Sequence, residues 1–212
     1  MRALSGRSTG ARVAAVTLAV ALLVASRPAA ALEPAFPEVA LAVGTTVGVN
    51  GSPGGGGASG SLAFTWPFAE RFSFGAVLFA DDLGTDFVDL TDPNTQEPLG
   101  TVASVHRMNY GAGWRTEARL FHSEERRWRF LWGADFGYAR QERDIRGTTD
   151  NAVSGVIVAT GPKFVWRTVG GHSFGGALGY KHAFLSTDAD ADRSTDWAQL
   201  AFVWRWQRIP KD

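Results

Sequence analysis

Residues 198–207 read Ala-Gln-Leu-Ala-Phe-Val-Trp-Arg-Trp-Gln, and they decide the fold. Ala198, Leu200, Phe202, Trp204 and Trp206 occupy the even positions, with Gln199, Ala201, Val203, Arg205 and Gln207 between them. Only an extended strand, whose side chains point to opposite faces in turn, keeps two such sets apart. The same parity runs back through the chain. All three Tyr and seven of the eight Trp sit at even numbers: Trp66, Tyr110, Trp114, Trp128, Trp132, Tyr138, Trp166, Tyr180, Trp204 and Trp206. Gly, Ala and most of the charge fill the positions between them.

Eight segments carry the pattern: 39–49, 59–66, 71–81, 101–120, 128–143, 152–166, 173–184 and 198–207. Their connections alternate in length. Those at 67–70, 122–127 and 167–171 are short, whereas those at 50–57, 82–100, 144–151 and 186–194 are longer and rich in Gly, Asp and Thr. This alternation predicts an antiparallel up-and-down sheet with both termini at the short-turn end. The fourth and fifth segments exceed the roughly 9 to 11 residues that a tilted membrane strand needs, so their far ends should project beyond a bilayer.

The first residues place the chain outside the cytoplasm. Arg2, Arg7 and Arg12 precede an apolar run at 13–24 and the small residues Ala29, Ala30 and Ala31, the pattern of a secretory signal cut after Ala31. The reading is therefore a signal peptide at 1–31 and a barrel domain at 32–212, whose 181 residues hold 17 basic and 21 acidic side chains. That balance lacks the basic footprint of nucleic-acid binding. There is no Cys, which excludes thiol catalysis, thiolate metal sites and a lipoprotein anchor. Beyond the signal no apolar run is long enough for a transmembrane helix.

Periodicity alone does not say which face is inside, because a soluble ligand-binding barrel would turn the aromatic face inward. The composition of the other face chooses. Gly44, Gly75, Gly111, Gly113, Gly133, Gly137, Gly161 and Gly175 lie there among long charged side chains. Gly weakens a solvated strand, while a narrow lumen needs small residues beside long ones. The fold class is thus all-β: an eight-stranded antiparallel up-and-down transmembrane barrel. On the aromatic alternation, the turn asymmetry and the closing run Leu200, Phe202, Trp204, Trp206, the chain resembles the small eight-stranded bacterial outer-membrane barrels of the OmpA-transmembrane and OmpX type. Residues 207–212 follow the last aromatic here, whereas members of that family usually end on it. The resemblance implies the outer membrane as location, its lipid and lipopolysaccharide as surroundings, the barrel-assembly machinery as a biogenesis partner, and a monomer.

Three groups of residues bear on function. The inward face holds Arg107, Arg115, Glu117, Arg119, Arg129, Asp135, Lys163, Arg167, Lys181 and Arg205. An anion path would use such residues, but eight strands enclose a space that side chains fill, so a plug of ion pairs is the reading that geometry favours. Trp66, Phe72, Trp128, Trp166, Phe174 and Trp206 fall beside the short turns, where amphipathic rings form a periplasmic girdle, with Tyr138, Tyr180 and Phe184 marking a thinner outer one. Third, Ser104 and His106 point outward near the top of the fourth strand, and pairing across the turn at 122–127 would set Glu142 opposite His106. Some eight-stranded barrels resembling this one hydrolyse lipid A acyl chains with a lipid-facing Ser-His-Glu group, in the order His-x-Ser that this chain reverses. A nucleophile, base and orienting carboxylate would make that chemistry possible here.

Asp188, Asp190, Asp192 and Asp196 imitate a calcium loop, yet Arg193 stands at its Gly position and Gln199 at its closing Glu, so a solvated acidic tip is the reading. Asp81, Asp82, Asp86, Asp89 and Asp92 are read the same way. No cofactor or metal is expected. The expectation is a non-enzymatic envelope or surface-interaction barrel, with a lipid A acyl hydrolase and a narrow pore as alternatives.

Overall fold

The computed structural model describes residues 36–49, 56–69, 71–91, 95, 97–123, 127–145, 148–186 and 194–208. The expected signal and the tip at 188–193 lie outside them. Eight strands follow in chain order: β1 (Glu38–Gly48), β2 (Gly57–Ala69), β3 (Phe72–Thr91), β4 (Pro98–His122), β5 (Trp128–Ile145), β6 (Thr148–Arg167), β7 (His172–Ser186) and β8 (Thr195–Gln207). Each pairs antiparallel with the next, and β8 returns to β1, so the sheet closes into a barrel.

Tracing the partners around the wall fixes the stagger. The row Val39, Phe64, Ala76, Trp114, Phe136, Val158, His182, Asp196 comes back to β1 through the bond from Val49 N to Asp196 O. It has climbed ten residues from Val39 to Val49. A stagger of ten over eight strands tilts them by roughly 40° from the barrel axis, within the range that closed barrels use.

The parity sorts the faces. Val43, Trp66, Leu78, Trp114, Phe136, Leu178, Leu200 and Phe202 are exposed on the outside, while Arg115, Glu117, Lys181 and Arg205 are buried inside. Such a contiguous apolar outer surface is incompatible with a soluble monomer and matches a lipid-facing wall. Rings stack along it, Phe74 on Trp114 at 5.3 Å and Phe174 on Phe202 at 6.2 Å. Trp132, on the same face, donates its indole N–H to Thr160 Oγ1 at 2.9 Å, and Thr160 passes the bond to the Gly133 carbonyl.

Two expectations about the loops are corrected. The segments 82–100 and 144–151 are mostly strand, because β3 runs to Thr91 and β4 starts at Pro98, while β5 ends at Ile145 and β6 begins at Thr148. These ends lie beyond the apolar belt, where no regular apolar alternation betrays a strand. A bulge between Asp82 and Gly84, with Gly84 at φ 77°, also shifts the parity, so that Phe87 at an odd number points outward. A second bulge, between Arg119 and Phe121, does the same for Phe121.

The interior has two characters. Toward the long-loop end, Trp197, 0% exposed, packs with Leu83, Ala139, Val153, Ile157, Ala183 and Leu185 into an apolar plug. Trp197 is the one Trp that breaks the even-number rule, and it is the one inside. Below it the lumen is charged. Replacing Leu200 by Arg sets a cation at mid-membrane and should cost roughly 2 to 4 kcal/mol, whereas Ser104→Arg, above the belt, should cost about 0 to 1. The fraction of folded, heat-modifiable barrel in detergent gels measures both, and equal losses would contradict the placement of the belt.

Candidate functional site

The charged lumen is built by small residues opposite long ones. Gly133 shows why: a Cβ there would lie 2.9 Å from Lys163 Nζ, so any side chain would displace that ammonium. Lys163 thereby reaches across to Glu117, with Nζ donating to Oε1 at 2.5 Å. Glu117 takes Arg205 Nη2 on its other oxygen. Arg205 in turn donates its Nε to Glu38, which also faces Arg129 Nη1 at 3.9 Å, while Arg129 Nη2 donates to Ser173 Oγ at 3.2 Å.

Next to this set, Arg115 holds Asp135 in a two-pronged bridge, Nε to Oδ1 and Nη2 to Oδ2, both 2.7 Å. Toward the plug, Lys181 Nζ donates to both oxygens of Asp81 at 2.8 and 2.7 Å and sits 5.5 Å from the Phe79 ring centre. Arg107 meets Asp86 at 3.4 Å. Arg119 and Arg167 are half-buried near the short-turn end. Charges removed from water in this way need partners with good geometry, and removing one partner is far costlier than the pair is stabilising.

The sequence expectations missed two of the acids. Asp81 belongs to no solvated tip: it is fully buried and neutralises Lys181. Odd positions of β3 before the bulge all face inward, so the parity of the strand places Asp81 in the lumen and not in the loop that follows. Glu38 lies one residue before the expected first strand and is buried between Arg205 and Arg129. Asp86, also assigned to the tip, faces Arg107 across the β3–β4 pair.

The hydrolase constellation is not assembled. Glu142 lies opposite Met108, and His106 opposite Asp144, because the β4–β5 hairpin begins its pairing at His122↔Arg129, a wider turn than the expected register allowed. Glu142 accepts from Tyr110 Oη at 2.5 Å and faces Arg140 Nε at 3.7 Å. His106 turns the other way: its Nδ1 is 3.4 Å from Thr85 Oγ1 and its Nε2 3.6 Å from Asp82 Oδ1. The carboxylate that would orient the imidazole is thus engaged elsewhere, and Ser104 lies two residues along the strand without a general base aimed at it.

Outside the lumen, polar residues end the apolar belt. Tyr180 and His182 both reach Asp196 Oδ1, the His182 Nδ1 at 2.6 Å, and His182 meets the Phe184 ring edge-on at 4.1 Å. At the opposite end Trp66, Trp166, Phe174 and Trp206 are exposed, Phe72 and Trp128 half-buried, and all six lie on strand ends beside the short turns. Trp204 Nε1 donates there to His172 Nδ1 at 3.2 Å. Among the described residues no group of three His, Asp or Glu has the arrangement of a metal site.

No protein-family model matches the chain, and neither does any curated protein. Solved structures match it by fold. Neisserial surface protein A superposes with a TM-score of 0.55 at 11% identity, covering 81% of this chain and 96% of that one. A major outer membrane protein from Thermus thermophilus gives 0.51 at 12%, covering 81% and 98%. OprG from Pseudomonas aeruginosa gives 0.48 at 12%, covering 81% and 96%. The chain has the fold of the small eight-stranded outer-membrane barrels.

Removing Glu117 should expose how the lumen is held. Glu117→Gln leaves Lys163 without its partner and Arg205 with one carboxylate, and should destabilise the folded barrel by about 3 to 5 kcal/mol in urea unfolding. Adding Lys163→Met should restore part of the loss. A Glu117→Gln barrel as stable as the wild type would contradict the network.

Proposed function

We propose that the chain is a non-enzymatic outer-membrane barrel that works at the cell surface through the sheet it raises above the bilayer. Strand length carries this reading. β3, β4, β5 and β6 have 20, 25, 18 and 20 residues, against 11, 13, 15 and 13 for β1, β2, β7 and β8. Spanning takes roughly 9 to 11. The excess lies at the long-loop end: β2 leaves β3 at Ser59↔Asp81 and β7 leaves β6 at Ser154↔Ser186, while β3–β4 pairing continues to Thr91↔Pro98 and β5–β6 pairing to Ile145↔Thr148. A wall of four strands therefore continues beyond the others, and its two outer edges there pair with no described strand. Phe87 projects from it, 73% exposed and beyond the lipid-facing belt. Rigid aromatic side chains on such scaffolds are the usual anchors of protein interfaces.

The rest of the molecule fits this reading. The short-turn end with its Trp and Phe girdle is the periplasmic side, and the polar sets around His106 and Asp196 meet lipid and lipopolysaccharide headgroups on the other. Export by the segment 1–31 and insertion by the barrel-assembly machinery complete the route. The Trp197 plug and the ion pairs below it favour a closed lumen over a pore, and the separation of Glu142 from His106 argues against acyl hydrolysis.

Expression in a Gram-negative host tests the proposal. The protein should fractionate with outer membranes, stay silent in planar-bilayer recordings and leave lipid A acylation unchanged by mass spectrometry. Phe87→Asp should keep all three properties and lower adhesion of expressing cells to cell-coated or matrix-coated surfaces several-fold, since loss of a buried aromatic anchor costs about 2 kcal/mol or more. Recovery in the soluble periplasm, steady conductance, altered lipid A, or adhesion indifferent to Phe87 and to the protein itself would overturn it.

A further inference from the structure

Inside the barrel lies a cavity of about 50 Å³ walled by Arg115, Lys163, Lys181 and Arg205 against Glu117 and Asp135. The carboxylates of this wall are held by cations. Glu117 receives Lys163 on Oε1 and Arg205 on Oε2, and Asp135 receives Arg115 on both oxygens. The donors are not all used. Arg205, 3% exposed, gives Nε to Glu38 and Nη2 to Glu117, and its buried Nη1 has no acceptor among the described residues. Lys163 carries three N–H donors and makes one described hydrogen bond, to Glu117.

Charge leans the same way. The interior cations Arg115, Arg129, Lys163, Lys181 and Arg205 face the carboxylates Glu38, Asp81, Glu117 and Asp135, five against four in these described ion pairs. An unbalanced cation in a low-dielectric interior is costly, and an acceptor that brings a negative charge relieves both the charge and the orphaned donor. The cavity exceeds the roughly 10 to 15 Å³ that a single water needs.

The geometry points to a buried small-anion site: one halide-sized anion held between Arg205 Nη1 and the Lys163 ammonium as the counter-ion of the lumen. This is a site and not a path, since the ion pairs around Glu117 lie on one side of it and the Trp197 plug on the other. Its consequence is that the barrel's stability depends on the identity of the anion and not on ionic strength alone, because a ligand bound only by the folded state stabilises it.

The probes are sodium chloride and sodium bromide against sodium gluconate at equal ionic strength, applied to the purified full-length barrel in detergent. The midpoint of thermal unfolding should rise with either halide and saturate, and bromide-soaked crystals should give an anomalous peak beside Arg205 Nη1 and Lys163 Nζ. Arg205→Lys keeps the charge but deletes Nη1, and should raise the half-saturating halide concentration about tenfold, the loss of one charge-assisted hydrogen bond. Should that variant not fold, Lys163→Met replaces it. Equal midpoints in halide and gluconate, with water alone in the cavity, would overturn the inference. So would a halide effect that both variants leave unchanged, since it would then arise at the surface.

Discussion

Everything in this barrel depends on one constraint: in hydrocarbon a backbone N–H or C=O has no partner except another backbone group, so the sheet must close. Here the closing seam is the eleven-residue pairing of β1 with β8, from Glu38↔Gln207 to Gly48↔Trp197. Closure over eight strands with a stagger of ten leaves an interior only as wide as the side chains that fill it. The inward glycines result from that width, and so does the ion network. Gly133 gives Lys163 its place beside Glu117. Because so narrow a lumen leaves little water to solvate charge, the described interior carboxylates Glu38, Asp81, Glu117 and Asp135 are each bound by a cation. These pairs are best understood as compensation for enclosing charge at all, since well-packed apolar residues of similar volume would often be as stable.

Much of the fold was legible because the membrane simplifies the code. Inside the belt, one face must be apolar and the other small or charged, so parity alone located Leu200, Trp114 and Arg115 correctly. The code fails where the membrane ends. Strands β3 to β6 continue beyond the belt, where their sequence turns rich in Gly, Asp and Thr and reads as loop. Parity also fails at bulges, where one inserted residue inverts the facing of the strand beyond it. Phe87 and Phe121 are outward at odd numbers for this reason, while Glu142 faces Met108 and not His106 because the β4–β5 turn is wider than expected. A bulge leaves little trace in sequence beyond a Gly such as Gly84.

The lumen was less legible than the wall. Its cations were visible as inward Arg and Lys, but the acids that neutralise them lay at segment ends, where a one-residue error in a boundary hides them. Glu38 and Asp81 were lost that way, although both obey the parity of their strands. Trp197 carries a clearer signal: the single Trp at an odd number is the one a lipid-facing rule does not explain, and it is buried in the apolar cluster of the upper lumen. The aromatic belt faces lipid, the ion pairs fill the lower lumen, and the four long strands extend beyond the belt.

The central claim is that the aromatic face meets lipid and the charged face is enclosed. The chain has no native cysteine, so single cysteines carrying a spin label can be placed at each position from Gln199 to Trp206 in bilayers. Collision with oxygen should be high at positions 200, 202, 204 and 206 and low at 199, 201, 203 and 205. Oxygen contact at the odd positions, or equal contact at all eight, would contradict the account.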